Sequence, residues 1–476
     1  MSTTETPRLA VLGAGPAGIA AAFALARRQR GAVSLYERAP VAGGNSASFD
    51  VAGVRCDYGS HRFHPAAGEE IIGDVRALLG DDLLLRPRHG RIRLGGRWIH
   101  FPLKPLDAIL HLPPRFVASL LGDSAAKPFR KKTEVTTFSD VLRGGLGPTI
   151  SENFYFPYVR KLWGLDPDAL AVTLAYRRVS SGSVGKILAK MAKMLPGLRS
   201  ETSGRFYYPR EGFGQIGEAM LKQAETMGAE VRLGAEITAI RHEGGRVTGI
   251  AVADGASGTR EVETDLVLST LPLTMLVRLL QPAAPPEVVE AAKAIRFRGM
   301  ILIYLVLGTD QFTEYDAHYL PELSIPISRM SEPKNYNATG APAGRTVLCA
   351  ELPCDPHEKW WGMSDEELGK LYCEWLGQLG LPVNVPVLGC ETRRLNHAYP
   401  VYDIGYEPRF AVIDEWLSSL EGLLVFGRQG LFAHDNTHHA FAMAYAAADV
   451  VRPDGSVDRA AWAEHRHEFE THTVED

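Results

Sequence analysis

Three glycines near the start of the chain constrain its fold more than any other feature. They stand in RLAVLGAGPAGIAAAFALARR as Gly13, Gly15 and Gly18, with Pro16 and Ala17 between the last two. A short apolar run of strand type precedes them, and an Ala-rich run that reads as a helix follows. AVSLYE, residues 32–37, then reads as a second strand ending on an acid, Glu37. Together these pieces make a βαβ unit. Gly13 permits the tight turn, Gly15 lets backbone approach a pyrophosphate, and Gly18 allows close helix packing. The helix N-terminus faces the anion. A carboxylate at Glu37 accepts hydrogen bonds from ribose hydroxyls and repels a 2′-phosphate. The alternative is a structural glycine turn beside an unrelated acid. The strand–turn–helix setting favours a dinucleotide.

The rest of the chain narrows the setting. A length of 476 residues exceeds one simple core and fits two or three packed units. The net charge of -5 gives no electrostatic footprint for a nucleic-acid partner. Five scattered cysteines without a CxxC pair read as reduced thiols of a cytoplasmic protein. The N-terminal apolar run lacks a basic region and is broken by glycines, so it does not read as a signal peptide. No run of 18 apolar residues appears, so no membrane-spanning helix is expected.

Further along, residues 106 to about 200 are mostly helical in pattern. AEVRLGAEITAIRHEGGRVTGIAVADG alternates polar and apolar residues and turns at Gly244-Gly245, as a hairpin does. FRGMILIYLVLG (297–308), RTVLCAEL (345–352) and VLGCETRRL (387–395) read as strands of a second sheet. GLLVFGRQG breaks at glycine before a helix expected from Thr437. Asp435, Asn436 and Thr437 offer N-cap chemistry there. Nucleotide-binding pieces thus lie at the start, middle and end of the chain. The expected fold is α/β: a discontinuous Rossmann-like domain of residues 1–105, 205–275 and 395–476, a helical insertion of 106–204, and a sheet-containing substrate domain of 276–394.

Glu37 is followed by Arg38 and then by Gly43, Gly44 and Asn45, a second glycine pair just past the ribose acid. EGFGQIGEAM, EVRLGAEITAI (which holds Ile237) and LVFGRQG follow in that order. In this the chain resembles the flavoenzyme superfamily of amine oxidases, protoporphyrinogen oxidase, phytoene-desaturase-like enzymes and UDP-galactopyranose mutase. The resemblance runs over nearly the whole chain. It implies FAD as cofactor and a fold of the glutathione-reductase type. No second GxGxxG appears, so NAD(P)H, O2 or another electron donor or acceptor must come from outside. The last helix would then turn its positive end towards the pyrimidine side of the flavin.

Within that superfamily the chain is most similar to the mutases. YGSHRFHP places His61 where the mutases hold a histidine beside the flavin, and His64 reads as structural. PYVRKLWGLDP resembles an element that puts Trp163 in the substrate cleft, although a lone tryptophan is more often core. RFRGMILIY implies that Arg298 binds a substrate diphosphate, and AYPVYD implies that Tyr399 reaches the cleft. Of Arg177 and Arg178 one is expected on phosphate, and Arg177 is the candidate. FGRQGLFAHDNTHHAF resembles the terminal flavin-binding segment, with Gly427 and Arg428 in place. One position departs: a mutase tyrosine six residues after that arginine is here His434, a candidate cleft residue.

The expected catalytic set is His61, Tyr399 and Arg298. His434 and His438 share a helical spacing, but no carboxylate or cysteine cluster supports them, so no metal is expected. VGKILAKMAKMLPGL (184–198), with Lys186, Lys190 and Lys193, is basic and amphipathic; packing on the domain is the commoner reading than membrane contact. The expected activity is an FAD-dependent oxidation of a small molecule, with a nucleotide sugar or other phosphate-bearing metabolite as the substrate class. The alternative is a redox-neutral sugar mutase that uses reduced FAD as a nucleophile. A homodimer is compatible with the sequence and is not specified by it.

Overall fold

The computed structural model describes residues 6–102, 107, 110–127, 134–179, 204–255, 258–337 and 339–474. The basic stretch 184–198 lies outside them.

The nucleotide-binding pieces assemble as expected. Five parallel strands run in the order Leu423–Val425, Leu266–Ser269, Arg8–Leu12, Ala32–Glu37 and Glu230–Leu233. They come from the start, middle and end of the chain. The central strands are almost wholly apolar because both faces are covered. The Pro16–Arg27 helix starts on a proline, whose missing N–H costs nothing there. It is buried from Ala17 to Ala26. Its alanines let the equally Ala-rich Thr437–Val450 helix lie close against it. The hairpin turns at Gly244-Gly245, with φ of 58° and 80°, where a side chain would be strained.

A seven-stranded sheet forms the other half. Its order is Val387–Pro400, Phe297–Leu307, Thr346–Pro353, Arg329–Ser331, Ala317–Tyr319, Gly90–Leu94 and Arg97–Phe101. The first three are the strands expected for a second sheet. Alternation sets their faces. Ile301, Ile303, Leu305, Leu348 and Ala350 pack with Leu368, Tyr372, Trp375 and Leu376 of the Asp365–Gln378 helix. Met300, Leu302 and Tyr304 join Val51, Val54 and Cys56 on the other side. The last two strands were expected with the nucleotide-binding segment of residues 1–105, yet Ala317–Tyr319 pairs with Gly90–Leu94. The Val387–Pro400 strand likewise runs through the expected boundary at residue 395.

Described residues of the insertion are helical: Pro114–Ala126, Phe138–Leu146, Phe156–Trp163 and Val172–Arg178. Thr137 caps the second through a box with Asp140. Gly164, at φ 67°, ends the third. No helix among the described residues is long and apolar enough to cross a membrane. All five cysteines are free.

Candidate active site

One cavity of about 1290 Å³ runs from the glycine turn to the inner ends of the seven-stranded sheet. At one end, Gly13 has φ 95°, and a Cβ there would lie 2.7 Å from Thr270 Oγ1. A Cβ on Gly18 would lie 1.8 Å from the Gly13 carbonyl oxygen, so this glycine packs instead of lining the cavity. Gly15 is different: a Cβ there would meet nothing within 4 Å, because it faces the cavity. Gly43 donates its N–H to Ala14 at 2.7 Å, and Gly44 closes against Gly15, where a Cβ would sit 3.1 Å from its Cα. No side chain caps the Pro16–Arg27 helix and no acid lies in its first turn, which leaves its amides for an anion.

Glu37 is oriented by two amides, Ala14 N–H at 2.8 Å on Oε2 and Ala39 N–H at 2.9 Å on Oε1. Each oxygen keeps a further lone pair for a ribose hydroxyl. Arg38, Asn45 and Ile237 line the same end, as do Gly427, Asn436 and Thr437. Gly427, at φ 82°, touches the glycine-motif helix: a Cβ there would lie 2.8 Å from Ala17 Cβ. Asn436 caps the Thr437–Val450 helix, whose N-terminus therefore opens on the cavity. Open glycine backbone, free helix amides and an oriented carboxylate fit FAD.

His61 lines the middle of the cavity. Its Nε2 lies 3.0 Å from the Tyr58 carbonyl, so that nitrogen carries the proton and Nδ1 the lone pair. Its ring stacks on Phe213 at 5.1 Å. Burial lowers its pKa against the opposing pull of Asp57. Asp57 is buried and accepts from Ser48 Oγ at 2.5 Å, Tyr208 Oη at 2.6 Å and Phe213 N–H at 3.0 Å. That network holds Phe213, and with it the imidazole. His64 also lines the cavity.

The far end gathers cations and aromatic rings. Trp163 lines it, with its indole N–H on the Pro400 carbonyl at 3.3 Å. Arg178 lies 5.5 Å from the Trp163 ring and 5.6 Å from the Tyr399 ring. Arg428 lies 5.2 Å from the Tyr399 ring and donates to the Ala398 carbonyl at 2.7 Å. Neither arginine makes an ion pair among the described residues. Burial, the largest cause, lowers the Arg428 pKa, and Arg178 adds to it as a like charge. Arg329 and Glu351 face each other across the same wall, Nη2 to Oε1 at 2.7 Å. Glu351 Oε1 also accepts the Ser60 N–H at 3.1 Å, tying this pair to the segment that carries His61.

Three expected residues stand elsewhere. Arg298 does not line the cavity. It is buried against Asp355 at 2.6 Å and against Glu358, so its charge is already neutralised. Arg177 turns to the C-terminal tail and donates to the carbonyls of Phe469 at 2.6 Å and His472 at 3.2 Å. Its neighbour Arg178 takes the cavity. His434 is fully enclosed, its ring 4.7 Å from Tyr402 and 5.7 Å from Trp163. Burial, with Arg178 and Arg428 beside it, keeps it neutral. Arg329, Glu351, Tyr158 and Tyr319 line the cavity without having been expected there. The one hint in the sequence is Glu351, an acid inside the mostly apolar Thr346–Pro353 strand.

A family model described as flavin containing amine oxidoreductase matches residues 16–402. An all-trans-zeta-carotene desaturase of Myxococcus xanthus is 25% identical over 392 residues, covering 72% of this chain and 71% of that one. Among solved structures, a reduced UDP-galactopyranose mutase superposes with a TM-score of 0.81 at 21% identity, covering 99% of this chain and 100% of its own. A putative protoporphyrinogen oxidase from Exiguobacterium sp. 255-15 gives 0.70 at 19% identity, with 94% and 98% covered. Cyclohexylamine oxidase from Brevibacterium oxydans gives 0.64 at 14%, with 94% and 98% covered. The glycine cradle, the cavity it opens on and the family match lead to one conclusion: the chain belongs to the flavin-containing amine oxidoreductase family, and its cofactor is FAD.

Proposed function

We propose that this protein oxidises a small molecule carrying a phosphate or similar anionic group, with a nucleotide sugar as the substrate class. The observation that carries this reading is the guanidinium pair of Arg178 and Arg428, 5.6 and 5.2 Å from the Tyr399 ring and neither in an ion pair among the described residues. Like charges brought together in a part-buried wall are unfavourable until an anion joins them. An apolar substrate gives no reason for such a pair. Trp163 and Tyr399 supply flat faces for a sugar or base. Glu351, held in place by Arg329 and the Ser60 amide, is suited to accept a hydrogen bond from a substrate hydroxyl. His61, neutral and with its lone pair on Nδ1, offers an acceptor in the middle of the cavity. FAD, when bound, supplies a hydride acceptor. An external molecule, NAD(P)H or O2 among them, completes the redox cycle.

A second reading is a redox-neutral rearrangement of a nucleotide sugar. It is favoured by the likeness to a UDP-galactopyranose mutase along almost the whole of both chains. The two separate in one anaerobic experiment. Nucleotide sugars are mixed with the oxidised, FAD-loaded protein, and separately with the dithionite-reduced protein. Loss of the oxidised flavin spectrum on adding substrate is the expected result. Pyranose–furanose interconversion by the reduced protein alone would establish the second reading in its place.

A further inference from the structure

Beside the cofactor end of the cavity lies a group the proposed reaction does not use. The side chain of Asp435 is 0% exposed, and neither carboxylate oxygen has a hydrogen-bond donor among the described residues. A buried carboxylate without hydrogen-bond donors is costly and favours a cation, and the Arg428 guanidinium acts on it only from a longer range than an ion pair. The nearest groups are two imidazoles. Nδ1 of His439 lies 3.5 Å from Asp435 Oδ1, and Nδ1 of His472 lies 3.4 Å from the same oxygen. Both exceed the ordinary N–H···O length of about 2.9 Å. They equal the edge between two ligands of a tetrahedral ion with bonds of about 2.0–2.2 Å, roughly 3.3–3.5 Å.

One imidazole nitrogen is already an acceptor, and ligation would exchange its capping bond to Asn436 for the ion. His439 Nδ1 accepts the Asn436 N–H at 3.2 Å, so it bears no proton. His472 Nδ1 has no hydrogen-bond partner among the described residues. The two rings stack at 4.3 Å and 15°, so rotation of the His472 ring is needed to aim both lone pairs at one point. Arg177 holds His472 by its main-chain carbonyl and not by its ring. We propose that Asp435, His439 and His472 bind one first-row divalent cation of the Zn²⁺ type, with water in the fourth position. All three ligand atoms lie within 4.8 Å of one another. Two nitrogens and one oxygen are a donor set that suits Zn²⁺ and its neighbours. The ion joins the C-terminal tail to the start of the Thr437–Val450 helix, at the wall of the FAD site. This inference does not rest on the proposed substrate.

The test uses the FAD-loaded protein, stripped with a chelator and equilibrated with ZnCl2. Bound zinc is measured by mass spectrometry after gel filtration, and FAD by absorbance. The expected result is one Zn²⁺ per chain, with affinity reduced by about tenfold or more in His472→Ala while FAD content stays unchanged. Asp435→Asn is expected to lose zinc equally. Circular dichroism confirms that each variant is folded. The proposal is overturned if the wild-type protein takes up no zinc or if folded His472→Ala binds it as well as wild type. It is also overturned if Asp435→Asn keeps zinc but loses FAD, which would assign the carboxylate to the flavin.

Discussion

Arg177 and Arg178 are neighbours in sequence with opposite fates. On a helix, consecutive side chains point about 100° apart, so one reaches the tail and the other the cavity. Which does which depends on how the Val172–Arg178 helix is rotated, and a two-residue pattern does not encode that. Arg298 shows the same limit. The segment around it resembles a diphosphate-binding one, but its partners, Asp355 and Glu358, come from a distant stretch that no local motif links to it. The glycines were legible because their roles are backbone roles, fixed within a few residues. Opposite outcomes follow for the two arginines. Arg178→Ala should weaken binding of a phosphate-bearing ligand about 10–100-fold without changing stability, the worth of a charge-assisted hydrogen bond, measured by titration calorimetry. Arg298→Met should lower unfolding free energy by about 3 kcal/mol, because it leaves buried carboxylates unpaired, while substrate affinity holds. A denaturant titration reads this; a stable Arg298→Met that binds substrate weakly would reverse the assignment.

Among the elements, the Phe156–Trp163 helix is fastened by an unusual bolt. Lys161 is buried and donates to the carbonyls of Leu320, of Glu322 at 2.7 Å and of Ile327 at 3.0 Å. Burial pulls its pKa down from 10.5 to about 7. Between those two values the unfolded chain holds a proton that the folded one has released, so stability should rise with pH across that window. Below about pH 7 both states are protonated and the full cost of the buried ammonium remains. The midpoint of wild-type unfolding, relative to Lys161→Met, should therefore climb from pH 7 to pH 10; a flat difference would mean that the three carbonyls keep the ammonium charged throughout. The sequence marked this lysine only as part of a cleft element. Strands of the second sheet were readable by their long apolar runs. The Gly90–Leu94 and Arg97–Phe101 edge was misplaced because its partner, Ala317–Tyr319, is three residues long and carries no periodicity.

For the molecule as a whole, the FAD cavity is the meeting place of two sheets. Gly13, Glu37, Thr270 and Gly427 approach it from the parallel sheet, and Tyr319, Arg329, Glu351 and Tyr399 from the other. A cofactor held across that seam stabilises both halves together. FAD at a hundredfold excess over its Kd should add about 2.7 kcal/mol to unfolding. The denaturation midpoint of flavin-free protein should accordingly rise on adding FAD; a midpoint indifferent to FAD would show that the sheets do not share the site. The order of strands carries one more meaning, for biosynthesis. Leu268 pairs with Leu424, and the helix that closes the flavin end begins at Thr437. A chain that ends between the second sheet and those residues has the glycine motif but lacks the Leu423–Val425 strand and the Thr437–Val450 helix that complete the flavin end. Retention of the yellow cofactor is therefore expected only from chains translated past the Thr437–Val450 helix.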